Sequence, residues 1–122
     1  MVIKPEYFSF DAKAAVKSKA VSIHDLELIC ASDMALLLDD IMARIQCMNG
    51  FKEIKPDDIF RREYIENMVP VGKLHLFSAL KQAGCISVCG RGYTINRLIK
   101  LTDAEHERIT TIVWEILPAL GL

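Results

Sequence analysis

The residues here with the clearest chemical potential are basic. Lys73, Lys81, Arg91, Arg97 and Lys100 fall within the 33 residues from Pro70 to Thr102, a stretch without one Asp or Glu in a chain of 122 residues that holds 16 acids. Ammonium and guanidinium groups gathered without carboxylates attract polyanions. His75, Ser78 and Gln82 in the same stretch can donate hydrogen bonds to phosphate oxygens or base edges. The acids collect elsewhere. Ile23 to Asp58 carries eight against three bases, and Asp103, Glu105, Glu107 and Glu115 follow the basic stretch. A formal net charge of −1 therefore conceals a segregated distribution. The plain alternative is that five bases spread over a helix and two strands form a solvated face and nothing more.

Other chemistries find less support. Cys85 and Cys89 stand four apart, not in the C-x-x-C spacing of a zinc knuckle, and His24, His75 and His106 share no spacing suited to a metal. There is no phosphate loop, no G-x-S-x-G elbow and no H-E-x-x-H. The expectation is a protein that is not an enzyme, with no catalytic residue, no metal ligand and no cofactor. Cys30, Cys47, Cys85 and Cys89 read as thiols, because a core this apolar needs no disulfide staples.

The elements that must position the bases can be read from composition and periodicity. Apolar residues make up 52% and charged residues 25%, which suits one folded domain with a packed core. No run is long and apolar enough to span a bilayer. Met1 to Phe10 lacks the pattern of a secretory signal, so a cytoplasmic protein without membrane contact is expected. A short helix is predicted over Asp11 to Lys19. Ser22 and Asp25 resemble a capping box opening one long helix, or two broken near Ser32, with apolar residues at Ile23, Leu26, Cys30, Met34, Leu37, Ile41, Ile45 and Met48 in steps of three and four. Asn49-Gly50 ends it. Pro56 starts a helix to about Asn67 with Asp57 and Asp58 at its N-terminus, and Pro70 and Gly72 break it. A further helix over Val71 to Ala83 stops at Gly84. Cys85 to Cys89 and Tyr93 to Leu101 then form a hairpin about Gly90-Arg91-Gly92. Thr102 and Glu105 cap a last helix with Ile109, Ile112, Val113, Ile116 and Leu117 on one face.

This order resembles a winged helix-turn-helix. The residues carrying the resemblance are the turn Met68-Val69-Pro70-Val71, the helix with Leu80 and Ala83-Gly84 leading into Ile86, and the wing Gly90-Arg91-Gly92 followed by Ile99-Lys100-Leu101-Thr102. In these the chain looks loosely like the MarR and PadR groups of bacterial regulators. The resemblance implies an α+β, mostly α fold: an N-terminal arm and helical extension over 1–31, a winged helix-turn-helix core over 32–102 and a C-terminal helix over 103–122. It also implies that the Val71 to Ala83 helix enters the major groove of duplex DNA.

On that helix Leu76, Phe77, Leu80 and Ala83 fall on one side. His75, Ser78 and Gln82 fall on the other, flanked by Lys73 and Lys81. Arg91 at the hairpin tip would reach a minor groove or a phosphate, and Arg97 and Lys100 would add longer-range attraction. Trp114 lies off the apolar face of the last helix. The stripe from Ile23 and Leu26 onward exceeds what a small winged helix can cover, so these three residues are expected at a homodimer interface; the plain alternative is that packing of the Asp11 to Lys19 helix buries part of the stripe. The function expected is a dimeric transcriptional regulator. The alternative is a winged-helix module that binds a protein partner, such as a small phage- or plasmid-type inhibitor or an assembly subunit.

Overall fold

Ser22 and Asp25 open the longest element by capping each other's backbone. The Ser22 N–H donates to Asp25 Oδ2 at 2.9 Å, and the Asp25 N–H donates to Ser22 Oγ at 3.1 Å. In the computed structural model, which describes residues 4–122, helix α2 (Ile23–Met48) follows without interruption for 26 residues. It ends where Gly50 and Phe51 both adopt left-handed backbone, at φ 68 and 63°. The chain divides into two compact units, and the division falls inside this helix, between Ser32 and Asp33.

The first unit joins residues up to Ser32 with Lys100–Leu122. Asp11 accepts from the Ala14 N–H and starts α1 (Ala12–Lys17). Thr102 and Glu105 form the anticipated capping box of α5 (Asp103–Thr111), which passes through a π-helical turn, Ile112–Ile116, into α6 (Leu117–Ala119). Ala12, Ala15, Val21, Leu26, Ile29, Ile112 and Leu117 are buried together, with Phe8 and Phe10 packed against them. The terminal segments therefore share a core of their own, where the sequence pattern predicts two flanks of one domain. Leu26 belongs to that core. The stripe predicted as surplus surface is mostly internal, since Cys30, Met34, Leu37, Ile41 and Ile45 are buried as well and only its two ends, Ile23 and Met48, stay exposed.

The second unit, Asp33–Ile99, contains β1 (Ile59–Arg61), α3 (Arg62–Glu66), a 3-10 turn at Val71–Lys73, α4 (Leu74–Gln82), β2 (Ile86–Cys89) and β3 (Gly92–Ile95). The strands make one antiparallel sheet in the order β1-β3-β2, with Ile59 opposite Thr94 and Ile86 opposite Ile95. Leu37, Leu38, Ile41 and Ile45 of α2 meet Ile65, Leu76, Phe77, Leu80, Ile86, Tyr93 and Ile95 in its core. The fold is thus mixed α+β, mostly helical.

Strand β1 replaces the first half of the helix predicted from Pro56. Asp58 closes a turn instead of serving a helix N-terminus: its carboxylate accepts from the Lys55 N–H at 2.9 Å, and its own N–H donates to the Lys55 carbonyl at 3.0 Å. The next three residues then satisfy the outer edge of β3, which would otherwise present unpaired backbone. Two smaller departures follow. Ala83, predicted to face inward, is exposed, and regular pairing of the last strand ends at Ile95 rather than Leu101.

Candidate nucleic-acid interface

Helix α4 buries Leu76, Phe77, Ala79 and Leu80 and exposes Ser78, Lys81 and Gln82; Lys73, just before it, is exposed, and His75 is half-buried. The 3.6-residue period accounts for this division. Lys81 does not extend freely from the helix. Its Nζ lies 5.0 Å from the centroid of the Phe77 ring, which meets the Tyr93 ring edge-on at 5.6 Å and 86°, and Arg62 lies 5.8 Å over Tyr93. Cation, ring, ring and cation form a row from α4 across β3 to the start of α3, and each contact is of a kind worth about 0.5–1.5 kcal/mol. The Tyr93 hydroxyl donates to Glu66 at 2.6 Å. Burial, reinforced by that carboxylate, pushes its pKa up, so the phenol stays a donor.

Arg91 is exposed in the two-residue turn between β2 and β3, where Gly90 takes φ 59°. Its carbonyl accepts from the Arg62 N–H at 3.4 Å, and the Arg62 guanidinium makes a long 3.5 Å contact with the Gly90 carbonyl. Arg61, Arg62 and Arg91 thereby line one cleft of about 520 Å3, together with Glu63 and Glu66. Arg61 and Arg62 are absent from the set predicted by sequence, because the helix expected over that segment gives them no relation to the hairpin. The available signal was the Ile-Phe pair just before the two arginines, which suits a strand.

The structure also brings acids to the bases. Asp33 on α2 is half-buried, and burial raises its pKa while Lys73 and His75 oppose that rise, which puts it in the electrostatic reach of both. Glu63 and Glu66 enter the arginine cleft from α3. The stretch free of carboxylates in sequence is therefore not free of them in space. Arg97 is exposed near Cys85, whose thiol is pushed up by burial and eased back by that guanidinium. Of the eight predicted contact residues, Lys73, His75, Ser78, Lys81, Gln82, Arg91 and Arg97 belong to the second unit, while Lys100 is exposed in the first.

Of the three residues expected at a dimer interface, Ile23 and Trp114 are exposed and Leu26 is buried in the core of its own chain. Among the described residues no group of three or more His, Cys, Asp or Glu is placed to hold a metal ion, and no helix is long and apolar enough to cross a membrane. Comparison of the chain with protein-family models, with curated proteins and with solved structures finds no match.

Proposed function

We propose that this chain is a DNA-binding transcriptional regulator of winged-helix type that binds duplex DNA as a dimer. The observation that carries the reading is the element order of the second unit. Helix, strand, helix, helix and hairpin, with the first strand added to the hairpin as β1-β3-β2, suit a helix-turn-helix with a wing. In that reading α4 is the recognition helix. Ser78 and Gln82 address base edges, Lys73 and Lys81 address phosphates, and Arg91 with Arg61 and Arg62 meets the backbone beside the wing. Titrating random-sequence duplex DNA at two salt concentrations tests it. Binding that weakens as salt rises supports the reading, and no binding at low salt overturns it.

A second reading, a winged-helix module that recognises a protein, is favoured by one feature. Val71, in the 3-10 turn before α4, is 85% exposed and Leu74, the first residue of α4, is 53% exposed, an apolar pair beside the surface assigned to DNA. Val71→Ser with Leu74→Ser separates the two: duplex binding held within about twofold favours DNA, because phosphate contacts dominate affinity there.

A further inference from the structure

We propose that two copies of this chain pair by seating Trp114 of each in an apolar groove of the other, a groove walled by Phe8, Val16, Ile23 and Leu26 and rimmed by Lys13 and Lys17. Both halves of the contact lie in the first unit. The groove is open to solvent and has a volume of about 380 Å3. That is near the lower end of the range for ligand clefts and suits a large side chain rather than an extended ligand.

Trp114 is the knob. It is 75% exposed, beside exposed Val113, in the π-helical turn Ile112–Ile116. Ile112 and Leu117, on either side, are buried in the core of the unit, so the indole cannot turn inward without drawing one of them out. Local π-helical turns often mark functional positions, and here the turn presents the chain's one tryptophan to solvent.

Charge selects the occupant. Asp103, Glu107, Thr110 and Trp114 are exposed or half-exposed in steps of four, three and four along one side of the helix, so two carboxylates one turn apart precede the indole. Lys13 and Lys17 are exposed one turn apart on α1. The base that could neutralise the helix, Arg108, is turned away to Asp25. A basic rim thus faces an acidic helix carrying the knob, a match within one sequence that an unrelated apolar ligand would not need. Each copy carries one knob and one groove; pairing about a two-fold axis makes both seats at once and closes the assembly at two, whereas head-to-tail seating would continue beyond two, which the limiting mass distinguishes.

The pairing gives the proposed dimer its contact and rests on that reading only for two copies sharing one duplex. Sedimentation of the full chain over a dilution series, read together with Trp114 fluorescence, tests it. The mass should rise from 13.7 kDa toward twice that value, with emission moving to shorter wavelength over the same concentrations. Trp114→Glu and Trp114→Ala should each raise the dimer dissociation constant roughly tenfold or more while melting like the parent at dilutions where the parent is itself monomeric. Lys17→Glu should weaken pairing, and adding Glu107→Lys should restore it. A parent that stays monomeric with unchanged emission, or a Trp114→Glu chain that pairs as well as the parent, overturns the proposal. Salt-dependent duplex binding is measured separately on the same proteins. Its loss with pairing intact counts against the regulator alone, and its persistence in a parent that does not pair counts against the Trp114 seat and the dimer while leaving duplex binding in place.

Discussion

Arg108 clasps Asp25 across 83 residues of sequence, donating from Nε to Oδ1 at 3.0 Å and from Nη2 to Oδ2 at 2.9 Å. The same guanidinium donates to the Ala20 carbonyl at 3.2 Å, while the carboxylate keeps its place in the Ser22 cap. One carboxylate therefore both begins α2 and ties that beginning to α5. Its pKa is lowered to about 2, first by the Arg108 hydrogen bonds, with burial opposing and the Ser22 donors assisting.

Removing the arginine should cost more than an ordinary surface pair. Arg108→Leu strands a buried carboxylate, and we expect a loss of about 2–3 kcal/mol in urea unfolding. In the double variant with Asp25→Asn the two losses should fall short of their sum. Strict additivity would mean that the pair is not coupled.

The same pair makes stability depend on acid. Asp25 titrates at about 2 when folded against 3.8 in the open chain, so the unfolded state takes up its proton first as pH falls. The contribution is complete above about pH 4 and is lost as pH drops toward 2. The shift corresponds to roughly 1–2 kcal/mol once the partial exposure of Arg108 is allowed for. Asp25→Asn should flatten this part of the stability profile, and an unchanged acid limb would sink the assignment.

Gly92 should resist substitution although its backbone is ordinary for a strand. A Cβ added there would lie 2.5 Å from Ile59 Cγ2 and 2.6 Å from the Phe60 carbonyl oxygen. Gly92→Ala should destabilise by about 1–3 kcal/mol through overpacking. Ile59→Ala should relieve only part of this, because the carbonyl is backbone and stays. Full rescue would show that β1 can move aside.

On the basic surface, Lys81→Glu, Arg91→Glu and Arg61→Glu should each weaken duplex binding and lower the salt slope by about one. Lys81→Met, which keeps apolar contact with Phe77, separates lost charge from lost packing. Parental affinity in all three glutamate variants would remove the basis for the DNA reading.

Local chemistry was the most legible part of the sequence. Ser22 with Asp25, Thr102 with Glu105 and Gly84 after α4 are each specified by neighbours within a few residues and appear as predicted, and so does the hairpin, its turn narrowed from Gly90-Arg91-Gly92 to Gly90-Arg91 because Gly92 pairs in β3. Strand β1 was not legible. Three residues are too few for alternation to register, and their state is set by the edge of β3 more than thirty positions away. The arginine cleft was hidden for the same reason, since Arg61 and Arg62 meet Arg91 only once that strand has paired. Leu26 illustrates the converse: its helical spacing announces an apolar face but leaves open whether a second chain or α1 with the last helix covers it, and the latter do.

The burial of the cysteines has a use as a clock. Cys47 and Cys89 are exposed, whereas Cys30 and Cys85 are buried, one in each unit. A thiol reagent will consume the outer two at once and must wait for the inner two until the backbone around them opens. Burial also holds the Cys85 thiol protonated, which slows its reaction further. The lag at each buried sulfur, resolved by mass spectrometry of the digested chain, records how often its own half of the molecule comes apart.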